Sequence, residues 1–101
     1  MKITKDNFAS TIKMLGYEVE TEFLPIKGRK FRSDWKITKG SKSCLIEYEG
    51  IKGKSRHTSI TGYSKDCEKY NLCQLAGYAV FRYTVLNFEN VINDLEKFYE
   101  K

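Results

Sequence analysis

The chain has 101 residues, of which 41% are hydrophobic and 31% are charged, an ordinary composition for a soluble globular protein. It contains one proline and no low-complexity tract, which argues against disorder, and no apolar run approaches the ~20 residues of a membrane helix. We therefore predict a single domain over residues 1–101 with no membrane partner.

The cysteines, Cys44, Cys67 and Cys73, are odd in number and include no CxxC pair, so a disulfide framework is not expected. His57 is the single histidine, and a structural zinc site is not expected either. Reduced, partly buried thiols and the absence of a signal-peptide pattern predict an intracellular, cytoplasmic protein.

The first half of the chain predicts a helix followed by three strands. Residues 5–15 carry an apolar stripe of helical spacing that ends before Gly16, a residue that commonly ends helices. Residues 17–26, 30–38 and 44–49 each alternate with a period of two, which is typical of an antiparallel meander with one apolar face.

The second half predicts a loop and three further elements. Residues 50–64 are polar and rich in Gly, Ser and Thr, which indicates a long and therefore functional loop. Residues 65–76 predict a helix, residues 78–85 an aromatic and β-branched strand, and residues 88–99 a final helix. The order α-β-β-β-α-β-α predicts an α/β (α+β) fold with a mixed four-stranded sheet flanked by helices.

The turn between the second and third strands fixes their pairing. If residues 40–41 form a two-residue hairpin loop, Asp34 stands opposite Glu47, and Arg32 stands opposite Glu49. Opposed side chains have Cβ atoms about 4.5–5.5 Å apart, where like charges repel. The pair of carboxylates therefore calls for a cation.

The preceding turn, centred near Gly28, places Glu22 beside Asp34 by the same argument. Adjacent carboxylates on one sheet face suit magnesium, which prefers oxygen ligands and keeps several waters. An alternative is an ordinary solvated face that Lys36 and Arg32 neutralise. The candidate metal ligands are Asp34, Glu47 and Glu49, with Glu22 as an additional acid.

The middle of the chain is basic. Residues 27–69 contain 12 Lys and Arg against 5 Asp and Glu, and the whole chain has a formal net charge of +5. This distribution favours a polyanion partner, of which DNA is the first candidate. His57 is either a phosphate contact or a plain surface residue, and Trp35 lies on the apolar face, where core packing is favoured over base stacking. The predicted DNA-binding residues are Lys27, Arg29, Lys30, Arg32, Lys52, Lys54, Arg56, His57 and Lys65.

Asp34 followed by Glu47-Tyr48-Glu49 on the next strand resembles the core motif of the PD-(D/E)XK nuclease superfamily. Residues 56–84, which include Asp66-Cys67-Glu68-Lys69-Tyr70-Asn71, are similar to small phage and bacterial endonuclease-like proteins related to very-short-patch repair endonucleases and Holliday-junction resolvases. The resemblance spans residues 32–84. It implies a restriction-endonuclease-like fold and a protein that a phage could encode. It also implies a DNA endonuclease that uses Mg²⁺ or Mn²⁺, with Asp34, Glu47 and Glu49 as catalytic residues.

The chain departs from the superfamily at Glu49, where lysine is usual. Some small branches supply this lysine from the following helix, and Lys69 is then the candidate catalytic residue, with Lys65 second. Four residues apart, these two lysines share a helix face. The alternative is that both are solvated surface lysines.

Three hypotheses follow. The first is a metal-dependent DNA endonuclease acting on branched or damaged DNA, and a resolvase version would be a two-fold homodimer because it cuts two strands symmetrically. The second is a non-catalytic nucleic-acid-binding module that keeps the nuclease fold, favoured by Glu49. The third is an interaction protein whose acidic face docks a basic partner, which the basic middle of the chain disfavours.

Overall fold

A computed structural model describes residues 2–49 and 60–100. Its elements follow the predicted order of helices and strands. They are α1 (Phe8–Met14), β1 (Glu18–Phe23), β2 (Ser33–Lys39), β3 (Lys42–Tyr48), α2 (Ile60–Leu75), β4 (Ala79–Tyr83) and α3 (Val91–Glu100), with a 3₁₀ turn (Phe88–Asn90) directly before α3.

The four strands form one sheet in the order β1-β2-β3-β4. The first three are antiparallel neighbours, and β4 is parallel to β3. Parallel neighbours cannot be joined by a tight turn, and α2 lies in the connection between these two strands. The prediction of a mixed four-stranded sheet with flanking helices is thus confirmed.

Helices cover both faces of the sheet. One face carries the main core, in which Phe8 and Ile12 of α1 and Leu95 of α3 pack against sheet residues that include Trp35, 5% exposed. α2 lies over the other face, where its Lys69 contacts Glu47 of β3. The core cluster comprises Ile3, Phe8, Ile12, Tyr17, Trp35, Ile37, Cys44, Ile46, Tyr83, Phe88, Val91 and Leu95.

The prediction of a single apolar face is wrong for β3. Cys44, Leu45, Ile46 and Glu47 are consecutive and all buried, because α1 and α3 cover one side of the strand and α2 covers the other. When both faces of a strand are covered, residues on both faces are buried, and the alternation of buried and exposed residues disappears. Glu47 is therefore removed from solvent by the same packing that buries Leu45.

Both predicted strand registers are confirmed. β2 pairs with β3 through Trp35↔Ile46 and its neighbours, and this register continued by one residue sets Asp34 opposite Glu47. β1 pairs with β2 in the register expected for a turn near Gly28, ending with the pair Phe23↔Ser33. Gly28 and Gly40 have positive φ values of 85° and 64°, a conformation that glycine adopts at little cost in these turns.

Several element boundaries differ from the predictions. α2 begins at Ile60, so the predicted loop is wrong over residues 60–64, whose Thr, Gly and Ser lower helix propensity without preventing a helix in this setting. Residues 50–59 lie outside the described part of the chain. α1 begins at Phe8, because Thr4 and Asn7 exchange side-chain to main-chain hydrogen bonds that hold the preceding residues in a turn.

All three cysteines are free thiols, with Cys44 and Cys73 buried and Cys67 exposed. The burial of Cys44 and Cys73 agrees with the prediction of partly buried thiols. Burial raises the pKa of the Cys44 thiol to about 11, which keeps the thiol protonated and unreactive at neutral pH. Within residues 2–49 and 60–100, no helix has the length and apolar character needed to cross a membrane.

Candidate active site

A cleft of about 430 Å³ opens where the start of β2 and the end of β3 meet α2. Five carboxylates and three cationic side chains line it, so its charged groups carry an excess of negative charge. The lining residues are Glu22, Lys30, Phe31, Arg32, Ser33, Asp34, Glu47, Tyr48, Glu49, Asp66, Lys69 and Tyr70. The predicted acids Glu22, Asp34, Glu47 and Glu49 therefore share one cleft.

Glu47 is held on both carboxylate oxygens. The Ser33 hydroxyl donates to Oε2 at 2.8 Å, and Lys69 Nζ lies 3.3 Å from Oε1 and 3.2 Å from Oε2. The Glu47 side chain is 8% exposed and that of Lys69 is 13% exposed. Burial raises the pKa of the Glu47 carboxyl above its ordinary value, and the Lys69 cation and the Ser33 hydroxyl oppose this rise. Glu47 is thus a largely buried acid, and its contacts with Lys69 and Ser33 favour the ionised carboxylate against the effect of burial.

Asp34 reaches across to β3. Its Oδ2 accepts a hydrogen bond of 2.7 Å from the main-chain N–H of Tyr48, beside Glu47 in the chain. The side chain is half-buried. The charge of Asp34 also contributes to the raised pKa of Glu47, which is the mutual effect expected of two carboxylates on neighbouring strands.

Within the described residues, Tyr70 and Arg82 bind Glu49 from other elements. Its Oε2 accepts a hydrogen bond of 3.1 Å from the Tyr70 hydroxyl of α2 and one of 2.8 Å from Arg82 Nε of β4. The Arg82 guanidinium lies over the Tyr70 ring, 4.1 Å from its centroid. Burial raises the pKa of Tyr70, helped by the charges of Glu47 and Glu49, so the phenol stays a donor.

Lys69 joins α2 to the segment between β1 and β2. Its Nζ donates to the main-chain oxygen of Arg32 at 2.5 Å as well as to Glu47. Because α2 begins at Ile60, Lys69 stands in the third turn of the helix, later than the first turns expected from the sequence. The structure brings Lys69 to the carboxylates, and its catalytic role stays a prediction.

The basic segment between β1 and β2 lies beside the same cleft. Lys27, Arg29, Lys30 and Arg32 are all exposed, and Lys30 and Arg32 line the cleft. Arg29 forms an ion pair of 3.2 Å with Glu68 of α2. These contacts tie the segment to the helix that carries Lys69.

Glu22 takes a different position from the other acids. Its φ of 52° lies in the left-handed region, and its carboxylate is 73% exposed and pairs with Arg32 at 3.4 Å. Lys65 of α2 is exposed as well. The predicted DNA-binding residues Lys52, Lys54, Arg56 and His57 lie outside the described residues.

Sequence reasoning missed three residues of the cleft network. The alternation of β2 assigned Ser33 to the apolar face, yet its hydroxyl bonds to Glu47. Tyr70 lies within the predicted helix over residues 65–76, and Arg82 within the predicted aromatic strand over residues 78–85, and neither position carries a signal of its own. No sequence signal could have found Arg82, because its pairing with Glu47 belongs to the parallel ladder, whose register no turn in the sequence specifies.

The donor set of the cleft suits a hard divalent cation, since its carboxylates offer only oxygen ligands. Within the described residues, no three acidic, histidine or cysteine side chains are arranged to hold an ion. The arrangement instead pairs Glu47 with Lys69 and Glu49 with Arg82. No protein family, curated protein or solved structure matches this chain.

Proposed function

We propose that this chain is a metal-dependent DNA endonuclease of the PD-(D/E)XK type, with a restriction-endonuclease-like fold. One observation carries the proposal: Asp34 and Glu47 occupy opposed positions on neighbouring strands, and Lys69 contacts Glu47 in the same cleft. Two carboxylates and a cation are the groups that metal-assisted phosphodiester hydrolysis requires. The resemblance of residues 32–84 to such nucleases agrees with this chemistry.

Asp34 and Glu47 are the principal ligands for Mg²⁺, with Mn²⁺ as a substitute. Mg²⁺ commonly uses one or two carboxylates and retains waters, so two acids suffice. When bound, the ion supplies an activated water and offsets charge on the phosphoryl oxygens. Glu49 is the weaker candidate for a third ligand, because Tyr70 and Arg82 already hold its Oε2.

The remaining groups have separate tasks. Ser33 orients the Glu47 carboxylate through its 2.8 Å hydrogen bond. Lys69 contributes positive charge in a largely buried position, where it acts with little screening by water. Its bond to the main chain of Arg32 keeps the ammonium group at the cleft, so that it can stabilise the negative charge that develops on the phosphate.

DNA as the substrate is supported by how the charges are distributed. The cleft holds an excess of carboxylates, whereas the segment from Lys27 to Arg32 beside it is basic. A phosphodiester entering the cleft adds negative charge to this excess, which a divalent cation would offset. The basic segment supplies phosphate contacts away from the reacting bond.

The test is incubation of the protein with plasmid, linear and branched DNA, with and without Mg²⁺ or Mn²⁺. We expect cleavage that requires the metal and is lost in Asp34→Asn and Glu47→Gln. Glu18→Gln is the matched control, since it neutralises an exposed acid of β1 outside the cleft. Metal-dependent cleavage that persists in both cleft variants would contradict the proposed site.

Calorimetry with Mn²⁺ ranks the ligands. Asp34→Asn and Glu47→Gln are expected to weaken Mn²⁺ binding more than Glu49→Gln, because Asp34 and Glu47 occupy opposed strand positions, whereas the Glu49 carboxylate is directed to Arg82 and Tyr70. Equal losses in all three variants would make Glu49 a full ligand. If Mn²⁺ affinity were unchanged in all three variants, the cleft would not be the metal site.

A second candidate is a non-catalytic nucleic-acid-binding module. It is favoured by Glu49 at the usual lysine position and by the ion pair in which Lys69 already engages Glu47. It predicts DNA binding without cleavage under any metal. The assays above separate the two functions, and sedimentation of the protein with and without branched DNA tests the homodimer that a resolvase needs.

A further inference from the structure

Arg82 is a preorganised cation at the edge of the candidate site. Its side chain is 44% exposed, whereas that of its partner Glu49 is 14% exposed. The guanidinium is fixed from two directions, by the 2.8 Å bond from Nε to Glu49 and by its position over the Tyr70 ring. Glu49 and Tyr70 both line the cleft, so the groups that hold Arg82 belong to the site.

The sheet register brings Arg82 close to the carboxylates. Arg82 of β4 is the pairing partner of Glu47 in the parallel β3–β4 ladder. Neighbouring strands lie about 4.7–4.9 Å apart, so Arg82 stands one strand away from the acid that contacts Lys69. One DNA strand could therefore place a phosphate in the cleft and a neighbouring phosphate at the exposed guanidinium of Arg82.

We propose that Arg82 binds a phosphate of the substrate strand next to the scissile bond, and that Glu49 and Tyr70 are its positioning residues. This inference rests on the proposed function. A guanidinium has five N–H donors, and the bond through Nε to Glu49 uses one of them. Arginine suits this role because its planar fork can donate two parallel hydrogen bonds to a phosphate.

Lys69 and Arg82 then have different tasks. Lys69 is 13% exposed and is bonded to Glu47 and to the main chain of Arg32, which restricts it to the interior of the cleft. Arg82 is more exposed and can meet a phosphate without leaving Glu49. Glu49, which stands in place of the usual lysine, thus positions the cation of Arg82 from the neighbouring strand.

The experiment is a salt titration of binding to a short duplex oligonucleotide without divalent metal. Each phosphate contact contributes about one unit to the slope of log affinity against log salt. We expect Arg82→Met to lower the slope by about one. Arg82→Lys should keep the slope and bind more weakly, since lysine keeps the charge but not the fork.

Lys13→Met is the matched control, because Lys13 is exposed in the last turn of α1 on the opposite side of the sheet. It should bind with the wild-type slope. Arg82→Lys also guards against misfolding, since it retains a long cationic side chain, and circular dichroism compares the folds. An unchanged slope in folded Arg82→Met would overturn the inference.

The outcomes separate this inference from the proposed function. If the wild type cleaves DNA and Arg82→Met keeps the wild-type slope, only the assignment of Arg82 fails. If the slope falls while the wild type cleaves nothing with Mg²⁺ or Mn²⁺, Arg82 binds phosphate in a non-catalytic module and the nuclease function fails. A wild type that does not bind the duplex at low salt overturns the assignment of Arg82.

Discussion

At the scale of single residues, Lys69 has two partners with different consequences. Its contact with Glu47 offsets a buried negative charge, and its bond to the Arg32 carbonyl holds the neighbouring basic segment. Substitution of a surface lysine without partners would change the stability and activity of the protein little. Lys69 therefore offers tests of both catalysis and stability.

Lys69→Ala is expected to lower the cleavage rate by roughly 10²–10³, because a preorganised cation is worth this much where charge develops. Mn²⁺ binding should survive, since removing the ammonium leaves Glu47 free of its competing partner. Single-turnover cleavage of plasmid DNA, with calorimetry for Mn²⁺, measures both effects. A wild-type rate would leave Lys69 as a structural lysine, with Lys65 as the next candidate.

Lys69→Ala should also change how stability depends on pH. Burial holds the folded-state pKa of Glu47 above its ordinary value of 4.5, and the Lys69 cation limits this rise. Without Lys69 the folded pKa rises further, so stability is lost as pH increases from about 4.5 towards the new pKa.

Denaturant unfolding over a pH series measures this dependence. The variant should be less stable than wild type by roughly 1–3 kcal/mol at neutral pH, because a buried acceptor has lost its charged partner. The difference should shrink on acidification, when Glu47 is protonated. A difference independent of pH would show that the Lys69–Glu47 contact contributes nothing to it, and Lys13→Ala provides the control for an exposed lysine.

At the scale of elements, the antiparallel part of the site was predictable and the parallel part was not. Gly40 and Ser41 set the register of β2 and β3, and this register alone brought Asp34 and Glu47 together. β4 reaches the sheet through a helical crossover, so no turn fixes its register, and Arg82 could not be placed beside Glu47.

Alternation also fails where a strand is covered twice or ends. Leu45 and Glu47 are buried on the face that the pattern marked as polar, because α2 covers it. Ser33 begins β2 and reaches Glu47 despite its assignment to the apolar face. Thr61, Gly62 and Ser64 concealed the start of α2, because their low helix propensity suggests a loop but is too weak a signal to exclude a helix.

The last helix is fastened to β4 by a hydrogen bond of 2.7 Å from the Tyr83 hydroxyl to Asp94 Oδ2. Tyr83→Phe should cost about 1 kcal/mol of stability at neutral pH through loss of this bond. Burial, aided by Asp94, raises the folded pKa of Tyr83 above its ordinary value of 10.0. The stabilisation of wild type is therefore present below pH 10 and is lost as pH rises above it.

Denaturant unfolding of wild type and Tyr83→Phe at neutral and alkaline pH tests this attachment. The difference between the two proteins should narrow above pH 10, where the unfolded tyrosine ionises. Tyr63→Phe is the control, since Tyr63 of α2 is 49% exposed. No difference between the two proteins at any pH would mean that Tyr83 stabilises α3 by its ring alone.

At the scale of the whole molecule, charge is segregated between an acidic cleft and the basic segment beside it. Arg29 and Arg32 of that segment form ion pairs with Glu68 and Glu22, so the proposed DNA substrate would have to compete with these carboxylates. The double variant Lys27→Ala, Lys30→Ala is expected to lower the salt slope of DNA binding by about two units, one for each phosphate contact. Fluorescence anisotropy over a salt series measures it, and a wild-type slope would exclude this segment from the DNA interface.

The β2–β3 hairpin has a consequence for how the chain folds. Asp34 and Glu47 meet through a local turn, whereas Lys69 and Arg82 reach them only after the much longer crossover closes. Short loops close before long ones, so two like charges come together before their cations arrive. Asp34→Asn should therefore refold faster than wild type at low ionic strength, as measured by the fluorescence of Trp35. Added salt should remove this difference, and the control Glu18→Gln should refold at the wild-type rate. Equal refolding rates would mean that the hairpin and the crossover form together. A faster rate for Asp34→Asn would mean that the carboxylate pair of the proposed site is also a kinetic obstacle to folding.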